Sequence, residues 1–199
     1  MQCTTKVPSV RLSRTKKTPT SRELLFSNIV EMLGARGYVD IKLMEMSGTT
    51  SEIPSLVVTG KMTNSKRFVL YVVDALKFNV NLAEIYLGAV RKTEAQKGII
   101  LYKDSITGFA KRVLETSSLD IEIFSSKSLQ INITKHHLQP RSFRCIEGDE
   151  RRDFDRLKWT NFIPKMSRAD PIARYYDFHK NDVIEIVRRN GEKHFRLVT

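Results

Sequence analysis

Cysteine is scarce in this chain of 199 residues, which holds only Cys3 and Cys145. Two thiols are too few for a disulfide framework, so we expect a reducing compartment. No apolar run approaches the length of a membrane span, and we expect no secretory signal because the N-terminus lacks an apolar core. The glycine-rich and serine motifs of phosphate-binding loops, dinucleotide folds and α/β-hydrolases are also missing, which argues against those enzyme classes.

Positive charge, by contrast, is in excess and unevenly placed. The formal net charge is +12, from 34 Lys and Arg against 22 Asp and Glu. Residues 1–22 hold six basic side chains and no acid, residues 23–128 hold thirteen basic and twelve acidic, and residues 129–199 hold fifteen and ten. The positive potential therefore comes from the two ends of the chain, and it suits a nucleic-acid backbone or an acidic protein partner equally well.

The order of the predicted elements divides the chain into three parts. Residues 1–20 are polar and basic, without an apolar period, which predicts a disordered tail. Between residues 21 and 128, strand-like and helical patterns alternate, which predicts an α/β domain with a mixed, partly parallel sheet. Residues 129–199 mix a strand, a helix near 147–158 and a C-terminal hairpin at Asn190-Gly191, which predicts a small α+β domain. The fold class is thus α/β in the first domain and α+β overall.

Local signals place the elements of the first domain. An extended stretch at 38–46 and four apolar runs predict its strands, the runs being 56–59, 68–73, 98–102 and 120–124. Ser21, Asn81 and Ser105 are predicted to cap three helices, the first of them running to about Arg36. The side chains expected on the buried faces of these helices are Leu25, Ile29, Met32 and Leu33, then Leu82, Ile85, Tyr86, Ala89 and Val90, then Ile106, Phe109 and Val113.

The most informative stretch is residues 163–176, which read IPKMSRADPIARYY. Asp170 can cap free backbone N–H groups and Pro171 fits the first helical turn, so a short helix is predicted here. A single turn is unstable alone and must pack on something. It displays Arg174, Tyr175 and Tyr176, a planar fork of donors beside two large rings with polar tips, which suits either docking to a partner or packing within the domain.

Three further blocks frame this stretch: INITKHHLQP at 131–140, NDVIEIVR at 181–188 and HFRLVT at 194–199. In this order the four blocks resemble the shared assembly subunit of eukaryotic and archaeal RNA polymerases, which is the fifth subunit of the nuclear enzymes and has a smaller counterpart in the archaeal one. The residues that match the family pattern are Ile133, Thr134, His136, Leu138, Pro140, Pro164, Asp170, Pro171, Ala173, Arg174, Tyr175, Tyr176, Asp182, Val183, Ile186 and Arg188.

The resemblance implies a non-catalytic subunit of a multisubunit DNA-dependent RNA polymerase. Residues 129–199 would be the assembly domain that docks to the largest subunit, and residues 21–128 would form part of the lower jaw, with indirect or weak contact to downstream duplex DNA. Other small polymerase subunits would be further partners. No cofactor, metal, membrane or second copy of the chain is implied. The expected location is the nucleus, or a cytoplasmic viral factory or virion for a virus-encoded copy.

The resemblance also assigns candidate site residues. Those expected to contact other subunits are His136, Leu138, Pro140, Pro164, Asp170, Pro171, Arg174, Tyr175, Tyr176 and Arg188. Those of the basic tail that could lie near DNA are Arg11, Arg14, Lys16 and Lys17. Trp159 and Phe162 could anchor a partner or pack in the core.

Departures from the family pattern identify a divergent member. Gln139 replaces a valine, Ser142 a histidine, and Asp177 and Asn181 replace glycines. Such changes suit a specialised paralogue or a virus-encoded copy.

Two other functions stay open from the residues alone. The family's jaw domain resembles restriction-endonuclease and resolvase folds, so a metal-dependent nuclease is one alternative. Asp74, Lys103 and Asp104 stand at strand ends, but no strand carries the pairing of an acid with a lysine that a metal site for phosphoryl transfer needs. The other alternative is a stand-alone basic regulator that binds nucleic acid with a steep dependence on salt.

Overall fold

The computed structural model describes residues 20–44, 56–62 and 66–199. Within them, the strands are β1 (Tyr38–Met44), β2 (Leu56–Met62), β3 (Arg67–Val73), β4 (Lys77–Phe78), β5 (Lys97–Tyr102), β6 (Ser105–Ile106), β7 (Asp120–Ser125), β8 (Ser142–Cys145), β9 (Lys165–Met166), β10 (Val183–Val187) and β11 (Lys193–Val198). The α-helices are α1 (Ser21–Ala35), α2 (Val80–Lys92), α3 (Gly108–Glu115), α4 (Gly148–Arg156) and α5 (Pro171–Tyr176). Short 3-10 helices cover Ser126–Leu129, Ile133–Lys135 and Trp159–Asn161.

Some sequence-based expectations lie outside the described residues. These are the disordered tail up to residue 19, with its candidate DNA-proximal side chains Arg11, Arg14, Lys16 and Lys17, and the end of the extended stretch at 45–46. None of the described helices is long and apolar enough to cross a bilayer.

The first sheet has five strands in the order β1-β2-β3-β5-β7. The β1–β2 and β2–β3 pairs are antiparallel, whereas β3–β5 and β5–β7 are parallel. Apolar side chains of α1 pack on one face of this sheet, and those of α2 and α3 pack on the other. The predicted mixed, partly parallel sheet is thus confirmed, because its parallel pairs are connected through α2 and α3.

The first helix is confirmed with a different cap. Thr20, not Ser21, is the N-cap: its hydroxyl accepts from the Glu23 backbone N–H at 3.3 Å, and the Glu23 carboxylate accepts from the Thr20 N–H at 2.7 Å. Gly37, with a φ of 83°, follows the end of the helix in the left-handed region. The four predicted core residues of this helix are all buried.

The start of α2 was predicted two residues late. Asn79, not Asn81, caps it by accepting from the Leu82 N–H at 3.0 Å. The fully buried residues of α2 are Ala83, Tyr86, Leu87 and Val90. Of the predicted stripe, Tyr86 and Val90 are confirmed and Leu82 and Ala89 are partly buried, but Ile85 is exposed.

The start of α3, in contrast, was predicted two residues early. Ser105 and Ile106 form β6, which pairs in parallel with β4, and the helix begins after Thr107, whose hydroxyl accepts from the Ala110 N–H at 3.2 Å. Because pairing with β4 holds Ser105 in extended backbone, it cannot act as the cap. Phe109 is consequently exposed, and Ala110 is buried on the inner face instead.

The second sheet has four strands in the order β8-β10-β11-β9. Side chains of α5 pack on one face and Phe154 of α4 on the other. The predicted hairpin between β10 and β11 is confirmed, but its turn is longer than the two-residue form. Gly191 alone has positive φ, its N–H donates to the Arg188 carbonyl, and the Arg188 N–H donates to Glu192, so the loop has three residues with a left-handed glycine.

The fold class predicted from the sequence, mixed sheets with helices and α+β overall, is confirmed. The two sheets fall on either side of residue 128, and the domain boundary there stays a prediction. We use the name C-terminal module for residues 129–199.

Candidate functional site

The short helix α5 forms as its sequence predicts. The Asp170 carboxylate accepts from the Ile172 N–H at 2.8 Å, Pro171 opens the helix, and Asp177 ends it with a φ of 60°. Ile172 and Ala173 are buried against the second sheet. The helix therefore has one face fixed on its own module, and its remaining side chains point elsewhere.

Two of those side chains are directed at the first sheet. The Arg174 guanidinium lies over the Phe124 ring, 4.3 Å from its centroid, and donates to the Ile123 carbonyl of β7. Tyr175 is buried in the cluster that contains α1, and its hydroxyl accepts from Asn132 at 3.2 Å. The sequence left docking and internal packing open for these residues, and here both hold the two sheets together.

Tyr176 has a similar internal role. Its ring stacks on Phe178 with centroids 5.4 Å apart and lies 5.7 Å from Phe143. The expectation of an exposed docking cluster at Arg174, Tyr175 and Tyr176 is therefore corrected, since their polar and apolar surfaces are occupied within the chain.

Arg36, at the end of α1, completes this junction. Its Nε donates to the Tyr175 carbonyl at 2.9 Å, and its Nη2 donates to the Arg174 carbonyl at 2.6 Å and to the Glu122 carboxylate at 2.8 Å. The last carbonyls of a helix lack partners within it and carry partial negative charge, so a cation is favourable there. A buried arginine thus satisfies the end of a helix that lies 139 residues further along the chain.

A second buried cation, Lys97, lies beside it. Its ammonium pairs with Glu122 at 2.6 Å, with Asp120 at 3.5 Å and with Asp177. Burial opposes the charge of Lys97, but the carboxylates of Glu122 and Asp177 outweigh it and raise its pKa. We call the set Arg36, Lys97, Glu122, Arg174, Tyr175 and Asp177 the module seam.

The two inner carboxyl groups of the seam divide their proton unequally. Burial and the hydrogen bond and charge of Glu122 raise the pKa of Asp177 to about 6, against the opposing effect of Lys97. Burial also acts to raise the pKa of Glu122, but Arg36, the hydrogen bond from Asp177 and Lys97 together lower it to about 2. Such values belong to the pair, because the proton bound by one carboxyl stabilises the charge of the other.

The other predicted site residues converge on an open groove of about 780 Å³ in the C-terminal module. We call this the C-terminal groove. Of the ten predicted subunit-contacting residues, those that line it are Pro140, Pro164, Asp170, Pro171 and Arg188. Leu138 and His136 precede Pro140 on the same loop and are exposed, with the His136 and His137 rings 4.5 Å apart. The structure thus brings together residues spread over 49 positions of sequence, from 140 to 188.

Neither aromatic residue before Pro164 is fully buried. Phe162 lines the groove with its ring exposed, so it is available to a partner. Trp159 is half-buried and packs edge-on against Phe154 at 5.1 Å, outside the groove. The alternatives left open for these residues therefore resolve differently for each of them.

The candidate nuclease residues form ion pairs between loops. Lys103 pairs with Asp74 at 2.6 Å, and Asp104 pairs with Lys127 at 3.1 Å. In the described part of the chain, no three His, Cys, Asp or Glu side chains are grouped so as to hold a metal ion.

Comparisons with known proteins bear on the C-terminal module first. Residues 131–199 match the family model described as RNA polymerase Rpb5, C-terminal domain. This is the segment that contains the C-terminal groove and the motif at 163–176. The C-terminal module accordingly belongs to the Rpb5 C-terminal-domain family.

Relatives extend the match into the rest of the chain. A putative DNA-directed RNA polymerase subunit of Invertebrate iridescent virus 6 is 37% identical over 110 residues, which cover 50% of this chain and 59% of the viral protein. Subunit rpabc1 of DNA-directed RNA polymerases I, II and III from Dictyostelium discoideum is 25% identical over 169 residues, 80% of this chain and 86% of that protein. The chain is therefore a divergent relative of the fifth subunit of eukaryotic-type RNA polymerases, as its motif order predicted.

Among solved structures, a repair endonuclease from Pyrococcus abyssi overlaps 56% of this chain and 50% of its own, with 18% identity and a TM-score of 0.34. An overlap this limited supports no statement about a shared activity.

Proposed function

We propose that this protein is a non-catalytic subunit of a DNA-dependent RNA polymerase, docked to the largest subunit through the C-terminal groove. The single observation that carries the proposal is the convergence of Pro140, Pro164, Asp170, Pro171 and Arg188 on one open surface. They come from three separate blocks of the family pattern, and most of them are rigid prolines or a polar group beside one. A preformed surface of this kind loses little conformational entropy when a partner binds.

The N-terminal domain would then project towards downstream DNA as part of the lower jaw. Its charges nearly balance, thirteen basic against twelve acidic, so the domain itself offers little attraction to phosphates. Contact with duplex DNA would be weak or indirect, aided by the basic residues before position 20. Other small subunits would be neighbours, and no homo-oligomer is needed. The location would follow the polymerase: the nucleus, or a viral factory for a virus-encoded enzyme.

Affinity purification of the tagged full chain from native extract tests the assignment. We expect stoichiometric recovery of very large polymerase subunits through washes at high salt. Elution as a free monomer would refute the proposal. Cleavage of duplex or branched DNA with magnesium would favour the nuclease alternative. Steep salt-dependent binding to nucleic acid without large partners would favour the stand-alone regulator.

Exposed side chains allow the docking face to be located without unfolding the protein. Leu138 is 78% exposed and Phe162 is 84% exposed, both beside or in the groove, whereas Phe109 is 72% exposed on the N-terminal domain. We expect Leu138→Asp and Phe162→Asp each to reduce incorporation into a polymerase that lacks this subunit, in competition with wild-type chain. Phe109→Asp is the matched control and should compete normally. Loss of incorporation with Phe109→Asp alone would move the docking face to the N-terminal domain.

A further inference from the structure

The C-terminal groove combines an apolar floor with a positively charged rim. Met166, Ile172 and Ile186 form the buried floor, and Phe143 is partly buried among them. The permanently charged side chains of the lining are Lys165, Arg188, Lys193 and Arg196, and the one carboxylate of the lining is Asp170. Asp170 is already engaged, because it caps α5. The charge balance of this surface therefore favours an acidic ligand.

Three of these cations are unpaired within the described residues. Lys193 pairs with Glu185 at 2.8 Å, but no carboxylate of the described chain forms an ion pair with Lys165, Arg188 or Arg196. The polar contact recorded for the Arg196 side chain is to the Lys165 carbonyl at 3.4 Å. On a surface where most charges are paired, from Arg144 with Glu185 to Arg151 with Asp155, this set stands out.

The rim also presents free backbone groups. The Leu197 N–H of β11 donates to the Pro164 carbonyl, and the Thr199 N–H donates to the Met166 carbonyl. In a parallel pair, bonded residues alternate with residues that face away. The N–H and carbonyl of Lys165 therefore point to the open side of β9, where they can pair with the backbone of an extended segment.

We propose that the C-terminal groove binds an extended acidic segment of a partner polymerase subunit. The segment places a large apolar side chain between Phe162 and the floor, and its carboxylates lie against Lys165, Arg188 and Arg196. This inference rests on the proposed function and adds the chemistry of the partner to it.

A protein segment fits this surface better than a nucleic acid does. A peptide can satisfy the open backbone edge at Lys165, which a sugar–phosphate chain cannot do in the same pattern. The apolar floor is reached between three prolines, Pro140, Pro164 and Pro171, and the described lining has no row of exposed aromatic rings on which successive bases could stack. Nucleic acid at the groove is kept as an outcome of the test.

Photo-crosslinking from the groove identifies the occupant directly. Phe162 is replaced by p-benzoyl-phenylalanine in the tagged full chain, which is assembled into polymerase, irradiated, digested and analysed by mass spectrometry. We expect crosslinks to one subunit segment that has an excess of Asp and Glu and an aromatic or aliphatic residue at the attachment point. Crosslinks to nucleic acid, to a segment without excess negative charge, or to nothing in an assembled enzyme would each overturn the inference. A chain that does not co-purify with polymerase would overturn the proposed function as well, so the two failures are distinguishable.

Charge reversal provides the energetic test. The triple variant Lys165→Glu, Arg188→Glu, Arg196→Glu should lower incorporation by about tenfold or more, since like charges at an interface are strongly unfavourable. The matched control reverses the same number of charges in the same module, away from the groove, at Arg152, Arg156 and Lys158. It should stay within about twofold of the wild type, because exposed charges contribute little to stability. Equal loss in both variants, with both folded by circular dichroism, would show that net charge and not the groove decides docking.

Discussion

Asp177 should make the free energy of unfolding fall as the pH rises, and Asp177→Asn should remove that fall. The carboxyl side chain is 21% exposed and lies between Lys97 and Glu122. Burial and Glu122 raise its pKa from the usual 3.8 to about 6. Between these two pH values the unfolded chain releases a proton that the folded chain keeps. Stability from this group is therefore fully present below about pH 4 and lost as the pH rises through 6.

The size of the effect follows from the gap between the two pKa values. At about 1.36 kcal/mol per pH unit, the difference between 3.8 and about 6 corresponds to about 3 kcal/mol at most. Asparagine resembles the protonated acid and is among the residues that best tolerate the positive φ of this position. We therefore expect Asp177→Asn to match the wild type near pH 4 and to exceed its stability at pH 7.5, although the variant loses an ion pair with Lys97. The pKa of Glu122, lowered to about 2, changes stability in the opposite direction but only between about pH 2 and 4.5.

Urea unfolding followed by far-ultraviolet circular dichroism at pH 4.5, 6 and 7.5 measures this difference. Asp120→Asn is the matched control, because Asp120 also contacts Lys97, at 3.5 Å, but its side chain is 52% exposed. It should change stability by less than about 1 kcal/mol and leave the pH profile unaltered. If Asp177→Asn proves less stable than the wild type at pH 7.5, attraction to Lys97 outweighs repulsion from Glu122 and the reasoning is wrong.

Three further predictions follow from separate features. Arg36→Lys should cost about 2–4 kcal/mol in the same urea assay, because one ammonium cannot serve two helix-end carbonyls and a carboxylate together; a change below about 0.5 kcal/mol would contradict that role. Gly98→Ala should cost about 1–3 kcal/mol, since its Cβ would lie 2.5 Å from a side chain of the adjacent strand, whereas Gly88→Ala on α2 meets no atom within 4 Å and should stabilise by about 0.5–1 kcal/mol. Deletion of residues 1–19, which spares the Thr20 cap, should flatten the salt dependence of polymerase–DNA binding without altering sequence preference; an unchanged slope would leave these residues without a role at DNA.

Features fixed by neighbouring residues were predictable from the sequence. The start of α5 is set by Asp170 and Pro171 alone, and the structure confirms it. The starts of α2 and α3 were misplaced by two residues because several capping residues compete locally. Asn79 precedes Asn81, and Thr107 follows Ser105. The pairing of β4 with β6 decides between them, and that pairing joins segments 28 residues apart.

The module seam was not predictable for a related reason. Arg36, Lys97 and Glu122 stand in different elements, and in sequence each reads as an ordinary surface charge. They meet only because α1, β5 and β7 converge where α5 docks. Burial of a charge is favourable only when all partners arrive together, which no local pattern records. The C-terminal groove was partly predictable, since the motif blocks contain Pro140, Asp170 and Arg188, but Arg196 and Lys165 carried no signal of their own.

The contact between Arg174 and the Ile123 carbonyl has a consequence for the order of folding during synthesis. The strand β7 is the last in its sheet, so its outer edge stays open until α5 has been made and has packed there. Open edges of this kind readily pair with other chains. Nascent chains shorter than about residue 174 would therefore expose an adhesive strand edge, and their aggregation would be suppressed only when α5 emerges and covers it. The same helix that shapes the C-terminal groove would thus also act as the chain's own protection against misassembly.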